Sequence, residues 1–426
     1  MDKFIVEGPT PLRGEIPISG SKNAALPLMA AALLGNSPTR ISNIPLLKDI
    51  YTFNNVLRVT GARVDFDEPE NALFIDPANI THLEAPYDLV RKMRASFYML
   101  GALLGRFGEA KVSLPGGCAW GPRPVNLHLE GLKALGAEIE IEGGYVFAKT
   151  PGGRLKGGSF TLSPSSVGAT VNIVLAAVLG EGYSVIKNAA KEPDVTALCE
   201  ALNVMGAHID GIGTDTLSIR GVDHLEGAEL ENIPDRIETG TFLIAALMHP
   251  DSSLTLTNTN TRHLGSFVET LKQIEPELDF KDDAIAISPP ACLKAHSIQT
   301  LIYPGFPTDL QAQWATLMTQ AEGTALIEDT IYPDRFSYVP ELNRLGANME
   351  IKENIARVNG PTRLTGASVM STDLRASVSL VMAAMAAHGT SEVLRVYHLD
   401  RGYESLETKL NNVGARITRT QAETSY

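Results

Sequence analysis

The 426-residue chain is short of cysteine, of tryptophan and of positive charge. Its three cysteines, at positions 118, 199 and 292, are odd in number and far apart, which argues against a disulfide framework and for a reducing compartment. Basic residues number 36 against 49 acidic ones, giving a formal net charge of -13. No Lys/Arg-rich run offsets that charge, so nucleic acid is not an expected partner. The longest apolar stretch, residues 24–34, is too short to cross a bilayer, so no membrane association is expected. The opening Met1-Asp2-Lys3-Phe4-Ile5 lacks the basic-then-apolar profile of a signal peptide, and a cytoplasmic protein is expected. HExxH, paired CxxC and EF-hand loops are missing, so no metal site is expected. GxGxxG and GxxxxGK[ST] are missing too, which leaves a Rossmann or Walker site unsupported.

What the chain does have is a repeat. Leu57-Arg58-Val59-Thr60-Gly61-Ala62 returns with leading leucines at Leu132, Leu202, Leu342 and Leu410, and in degenerate form at Leu271. The step is about 70 residues, the signature of one structural unit copied six times. Each copy predicts a helix end, a glycine just past it where left-handed backbone is cheap, and then a strand. A second series, starting near Ser21, Arg94, Ser166, Thr239, Thr308 and Thr372, turns from polar to almost wholly apolar. Such segments predict buried helices. Six units divide into two domains of three, one over residues 22–230 and one over 1–21 with 231–426. The fold class is α/β, with buried helices wrapped by sheets in an inside-out barrel.

If the buried helices of a domain run parallel, their N-termini share a face. Free N–H groups and the positive dipole end there suit phosphates. Lys22, Arg94 and Arg375 stand at these starts against the dipole, which points to a ligand, whereas Thr239, Thr308 and Thr372 are expected as N-caps. Arg335 and Arg401 sit in loops beside Asp334 and Asp400, where plain surface ion pairs would also account for them. Cys199 lies on an apolar helical face and is expected in the core; Cys292 carries no signal. Cys118 differs from both. It stands in Leu114-Pro115-Gly116-Gly117-Cys118-Ala119-Trp120-Gly121-Pro122-Arg123-Pro124, a glycine- and proline-rich loop with an arginine five residues on. A thiol there, near a guanidinium, fits a lowered pKa and chemistry, and the loop is expected to act as a lid.

Four segments together resemble one family. They are Gly20-Ser21-Lys22-Asn23-Ala24-Ala25-Leu26-Pro27, the Cys118 loop, Tyr303-Pro304-Gly305-Phe306-Pro307-Thr308-Asp309, and His398-Leu399-Asp400-Arg401-Gly402-Tyr403-Glu404. They are similar to the UDP-N-acetylglucosamine 1-carboxyvinyltransferases, the enolpyruvyl transferases that open peptidoglycan synthesis. The resemblance implies the two-domain inside-out α/β fold, with the first strand region completing the C-terminal domain. It implies transfer of enolpyruvyl from phosphoenolpyruvate to the sugar 3-hydroxyl with release of phosphate, and no metal or organic cofactor. Cys118 would be the proton donor, and a fosfomycin-sensitive thiol, with Asp309 the base facing the hydroxyl. Lys22, Asn23, Arg123 and Arg401 would hold the phosphate, and Arg335 and Arg375 the carboxylate. The nucleotide sugar would meet Arg94, Arg123, Pro124, Val125, Asn126, Leu127, Ser166, Val167, Gly168, Asp309 and Ile331. Position 126 is Asn where relatives often carry Asp. Two rivals remain: a shikimate-pathway-type enolpyruvyl transferase, disfavoured by Cys118 and Ser166-Val167-Gly168, and a non-catalytic nucleotide-sugar sensor, disfavoured by the intact Lys22, Cys118, Asp309 and Arg401.

Overall fold

The computed structural model describes residues 2–91, 93–115 and 125–421. Its contacts divide the chain into two compact units, one of residues 20–233 and one of 1–19 with 234–426. The described residues form six four-stranded sheets, three in each unit.

All six sheets share one pairing pattern, a parallel step followed by two antiparallel ones. In the sheet formed around Tyr183–Lys187, that strand pairs in parallel with Gly158–Thr161 and antiparallel with Thr216–Arg220, which pairs antiparallel with His208–Asp210. The parallel step is a crossover through the buried Val167–Ala177 helix, as parallel neighbours require. Two sheets take their outer strand from a distant part of the chain. Glu229–Glu231 lies parallel to Thr39–Ser42, and Arg13–Pro17 lies parallel to Ser253–Thr257. In a third, Asp2–Gly8 supplies the antiparallel partner of both Gly389–Leu394 and Ile417–Gln421. The N-terminal strands thus complete sheets of the unit that holds the C-terminal half.

The repeat is explained by backbone and packing together. The six leading leucines are all at most 2% exposed, on helices that press against their sheets. Four residues on, Gly61, Gly136, Gly206, Gly346 and Gly414 adopt φ between 98° and 109°, where a side chain would be strained. The degenerate copy keeps a positive φ without the glycine, since Glu275 sits at φ 55°. Strands Arg63–Asp67, Glu138–Glu142, His208–Asp210, Glu277–Phe280, Asn348–Lys352 and Ile417–Gln421 then follow.

The second series forms the predicted buried helices, among them Lys22–Ala31, Met99–Phe107, Val167–Ala177, Arg236–Ala246, Gln311–Met318 and Leu374–Ala386. Their capping differs from expectation. Asp235 caps one helix, accepting from Ile237 and Glu238, so that helix starts a turn before Thr239. Asp373 caps another in place of Thr372, and Thr308 opens a short 3-10 turn. Carboxylates outcompete the threonines because a charged acceptor also complements the helix dipole. Among the described residues no helix is long and apolar enough to cross a membrane. Cys199 is fully buried, which pushes its thiol up to about 12, while Cys292 is exposed.

Candidate functional site

In the unit of residues 1–19 and 234–426, three of the predicted residues meet at one carboxylate. Asp309 receives Arg335 on Oδ1 at 2.8 Å and Arg375 on Oδ2 at 3.0 Å. Asp309 keeps 28% of its side chain exposed, whereas the two arginines keep 12% and 6%. Burial alone would raise the Asp309 carboxyl, but Arg375 and Arg335 override it and hold the group far below the usual carboxylate range. The same carboxylate offsets the burial of Arg375 and keeps its guanidinium charged. Arg335 thus reaches past its neighbour Asp334 to Asp309, and Asp400 is engaged by Arg419 at 2.7 Å.

Each member of the cluster is held from behind. Arg375 is the second residue of its helix, a position unfavourable for a cation, and its N–H donates to the capping Asp373 at 2.9 Å. Arg335 donates to Thr308 at 3.0 Å, and Thr308 donates to the buried Asp329 at 2.6 Å. Asp329 also accepts the backbone N–H of Ile331 at 2.9 Å, which fixes the start of the loop that carries Arg335. Arg401 ends the Val396–Arg401 turn. It lies close enough to His398 that, after burial, its charge and that of Arg395 lower the imidazole against the pull of Asp373.

In the unit of residues 20–233, Lys22 and Asn23 are the first two residues of the Lys22–Ala31 helix, capped by Ser21. The Lys22 ammonium lies 3.0 Å from Asp49, and both side chains are largely buried. A second cluster brings together Arg94, the Asn126–Ala134 helix and the start of the Val167–Ala177 helix. Asn126 and Leu127 open the first of these helices, behind Val125, and Ser166 caps the other by accepting from Ala169. His128, one residue further on, packs so closely under Gly168 that an added Cβ would lie 3.1 Å from its ring. Its Nδ1 faces Asn172 at 2.8 Å, and burial with Arg94 nearby lowers its pKa to about 3. The Val167 and Gly168 N–H groups precede the first helical acceptor, which makes this end an anion-binding geometry.

Cys118, Arg123 and Pro124, and with them the expected lid, lie outside the described residues. Sequence reasoning did not single out Asp49, Asp329, His128 or the buried Tyr403. Only Tyr403 had a signal, because it stands in the motif that carries Arg401. Among the described residues no group of three His, Cys, Asp or Glu side chains could hold a metal.

The family model described as EPSP synthase (3-phosphoshikimate 1-carboxyvinyltransferase) matches residues 6–410. A UDP-N-acetylglucosamine 1-carboxyvinyltransferase from Chloroherpeton thalassium is 53% identical over 98% of this chain and 97% of its own. One from Chlorobaculum parvum is 52% identical over 99% of both chains. Among solved structures, the enolpyruvyl transferase NikO from Streptomyces tendae superposes with a TM-score of 0.90 at 26% identity, covering 99% of each chain. EPSP synthase from Acinetobacter baumannii reaches 0.79 at 17% identity, over 99% of this chain and 100% of its own, which speaks for the fold alone.

Proposed function

The chain belongs to the UDP-N-acetylglucosamine 1-carboxyvinyltransferase family, and from that premise we propose that it moves enolpyruvyl from phosphoenolpyruvate to the sugar 3-hydroxyl, releasing phosphate. The observation that carries this reading is the Arg335–Asp309–Arg375 cluster, two buried cations sharing one partly exposed carboxylate. Such a pair is suited to a substrate carboxylate, because guanidinium forks match carboxylate geometry.

The reaction adds the sugar hydroxyl to C2 of phosphoenolpyruvate while C3 takes a proton, and the tetrahedral adduct then loses phosphate and that C3 position gives a proton back. Asp309 takes the hydroxyl proton. While both arginines hold it, it is a weak base; once they turn to the substrate carboxylate, its proton affinity rises towards that of an ordinary carboxylate. Cys118 delivers and removes the C3 proton. Lys22, Asn23, Arg123 and Arg401 stabilise the phosphate, and cations fixed in advance where charge develops are the larger part of such catalysis. Arg94, residues 123–127, Ser166, Val167, Gly168 and Ile331 hold the nucleotide sugar, with the diphosphate at the Val167–Ala177 helix start. Residues 22–230 act as one domain and 1–21 with 231–426 as the other. The finer setting follows from this reading: a cytoplasmic enzyme of cell-wall synthesis, needed for cell shape and division, and a fosfomycin target.

Phosphate release from phosphoenolpyruvate tests it. Release should require UDP-N-acetylglucosamine and should not occur with shikimate 3-phosphate. Binding of the nucleotide sugar without any release would leave the sensor reading in its place.

A further inference from the structure

Behind Arg375 lies a network that the reaction scheme does not use. The Tyr403 hydroxyl is met by Arg375 Nη1 at 3.1 Å and by Thr241 Oγ1 at 2.8 Å. Gln313 Nε2 reaches Thr241 at 3.1 Å and the backbone oxygen of Asp309 at 2.9 Å. All four side chains are at most 5% exposed. Three buried helices, those holding Thr241, Gln313 and Arg375, therefore meet at one phenol.

Proton accounting fixes how the network is oriented. A guanidinium only donates, so the Tyr403 oxygen accepts from Arg375. Its own hydrogen must then point to Thr241, since the Gln313 nitrogen offers no lone pair. Burial raises the phenol, so it stays protonated beside the cation and can make both bonds at once. The Arg375 guanidinium also lies 5.6 Å from the Tyr403 ring centre, which restricts its tilt. Tyr403 stands two residues after Arg401, its backbone N–H donating to Leu399 of the Val396–Arg401 turn at 2.9 Å, and Glu404 beyond it accepts from Ser19 at 2.8 Å.

We propose that Tyr403 is a positioning residue: its hydroxyl ties the turn carrying Arg401 to the helix carrying Arg375, and so sets the spacing at which one ligand's phosphate and carboxylate are held together. Asp309 is anchored to the same frame through Gln313. The inference rests on the function proposed above, and the two fail separately. If the wild-type protein releases no phosphate from phosphoenolpyruvate, that function fails; if it does and the variant below is unaltered, only the inference fails.

Tyr403→Phe keeps the ring and its packing and removes the hydroxyl. The KM for phosphoenolpyruvate should rise about tenfold, the loss expected of one hydrogen bond to a charged group. The KM for the nucleotide sugar should stay within about twofold, and kcat should fall less than the phosphoenolpyruvate KM rises. An unchanged phosphoenolpyruvate KM, or equal rises in both KM values, overturns the proposal. Thr241→Val, which takes away the acceptor of the phenol hydrogen without changing volume, should show the same selective rise in smaller degree. It decides the matter if Tyr403→Phe does not fold.

Discussion

Replacing Asp309 by Asn separates the base role proposed for it from its place as the internal partner of two arginines. Asn keeps the shape and one acceptor but loses the charge that Arg335 and Arg375 share at 2.8 and 3.0 Å. Removing one member of a buried ion pair costs about 3–5 kcal/mol. Asp309 is 28% exposed, so water takes up part of that loss, and about 2–4 kcal/mol is expected. At roughly 2–4 °C per kcal/mol for a unit of this size, Tm should fall by about 5–15 °C. Turnover should drop by about a hundredfold to ten-thousandfold, the usual contribution of a general base. Nucleotide-sugar affinity should hardly move. Phosphoenolpyruvate, by contrast, should bind about tenfold more tightly, because its carboxylate no longer competes with an internal one. Inorganic phosphate should show no such gain, which excludes a general charge effect. Thermal denaturation, titration calorimetry and phosphate release together check all of this. An Asp309→Asn protein with unaltered Tm and unaltered phosphoenolpyruvate affinity would refute the shared-carboxylate argument.

Three further outcomes follow. Cys118→Ser should abolish turnover because a hydroxyl is too weak an acid, whereas Cys118→Asp should retain activity and lose sensitivity to fosfomycin; an active Ser form beside a dead Asp form would refute the acid role. Glu275→Gly should stabilise the protein by about 1 kcal/mol in chemical denaturation, because the exposed Glu275 sits at φ 55° where the other copies have glycine; a loss of stability would contradict the strain argument. His128 should make stability pH-dependent. Its folded pKa of about 3 lies below the ordinary 6.5, so the unfolded chain binds the proton first and stability falls as pH drops from 6.5 towards 3. By pH 4.5 the loss should be about 1–3 kcal/mol, and His128→Gln should flatten that part of the profile; an unchanged slope would place the imidazole in water.

The fold was legible because its signals are local and repeated. A leucine, a glycine four residues later and a strand recur with a backbone reason, and five of six copies place glycine at the left-handed position. The sixth shows that a positive φ is kept by its surroundings, since Leu271 is fully buried and Glu275 also has positive φ, at 55°. Helix caps were less legible. Asp235 and Asp373 outrank nearby threonines through charge and dipole, a contest that residue type alone leaves open. The outer strand of two sheets comes from far along the chain, and nothing in its own sequence indicates its partner.

For the site, cations were easier to find than the groups that hold them. Lys22, Arg94 and Arg375 stand at helix starts where the dipole opposes them, so their presence needs a reason beyond the helix. Their partners carry no such mark. Asp49 is 27 residues from Lys22, Asp309 is 66 from Arg375, and each acid looks ordinary in its own segment. The neighbouring acids that did suggest ion pairs, Asp334 and Asp400, are not the ones that complete the cluster at Asp309. The physical cause is the repeat itself. It brings equivalent loops of one unit together, so Arg375 finds its carboxylate in the preceding copy of the motif, whereas Arg335 reaches the same carboxylate from another loop of its own copy. The chemistry of the cluster then follows from charge: two buried cations need an anion, Asp309 supplies it, and under the proposed function a substrate carboxylate would take its place.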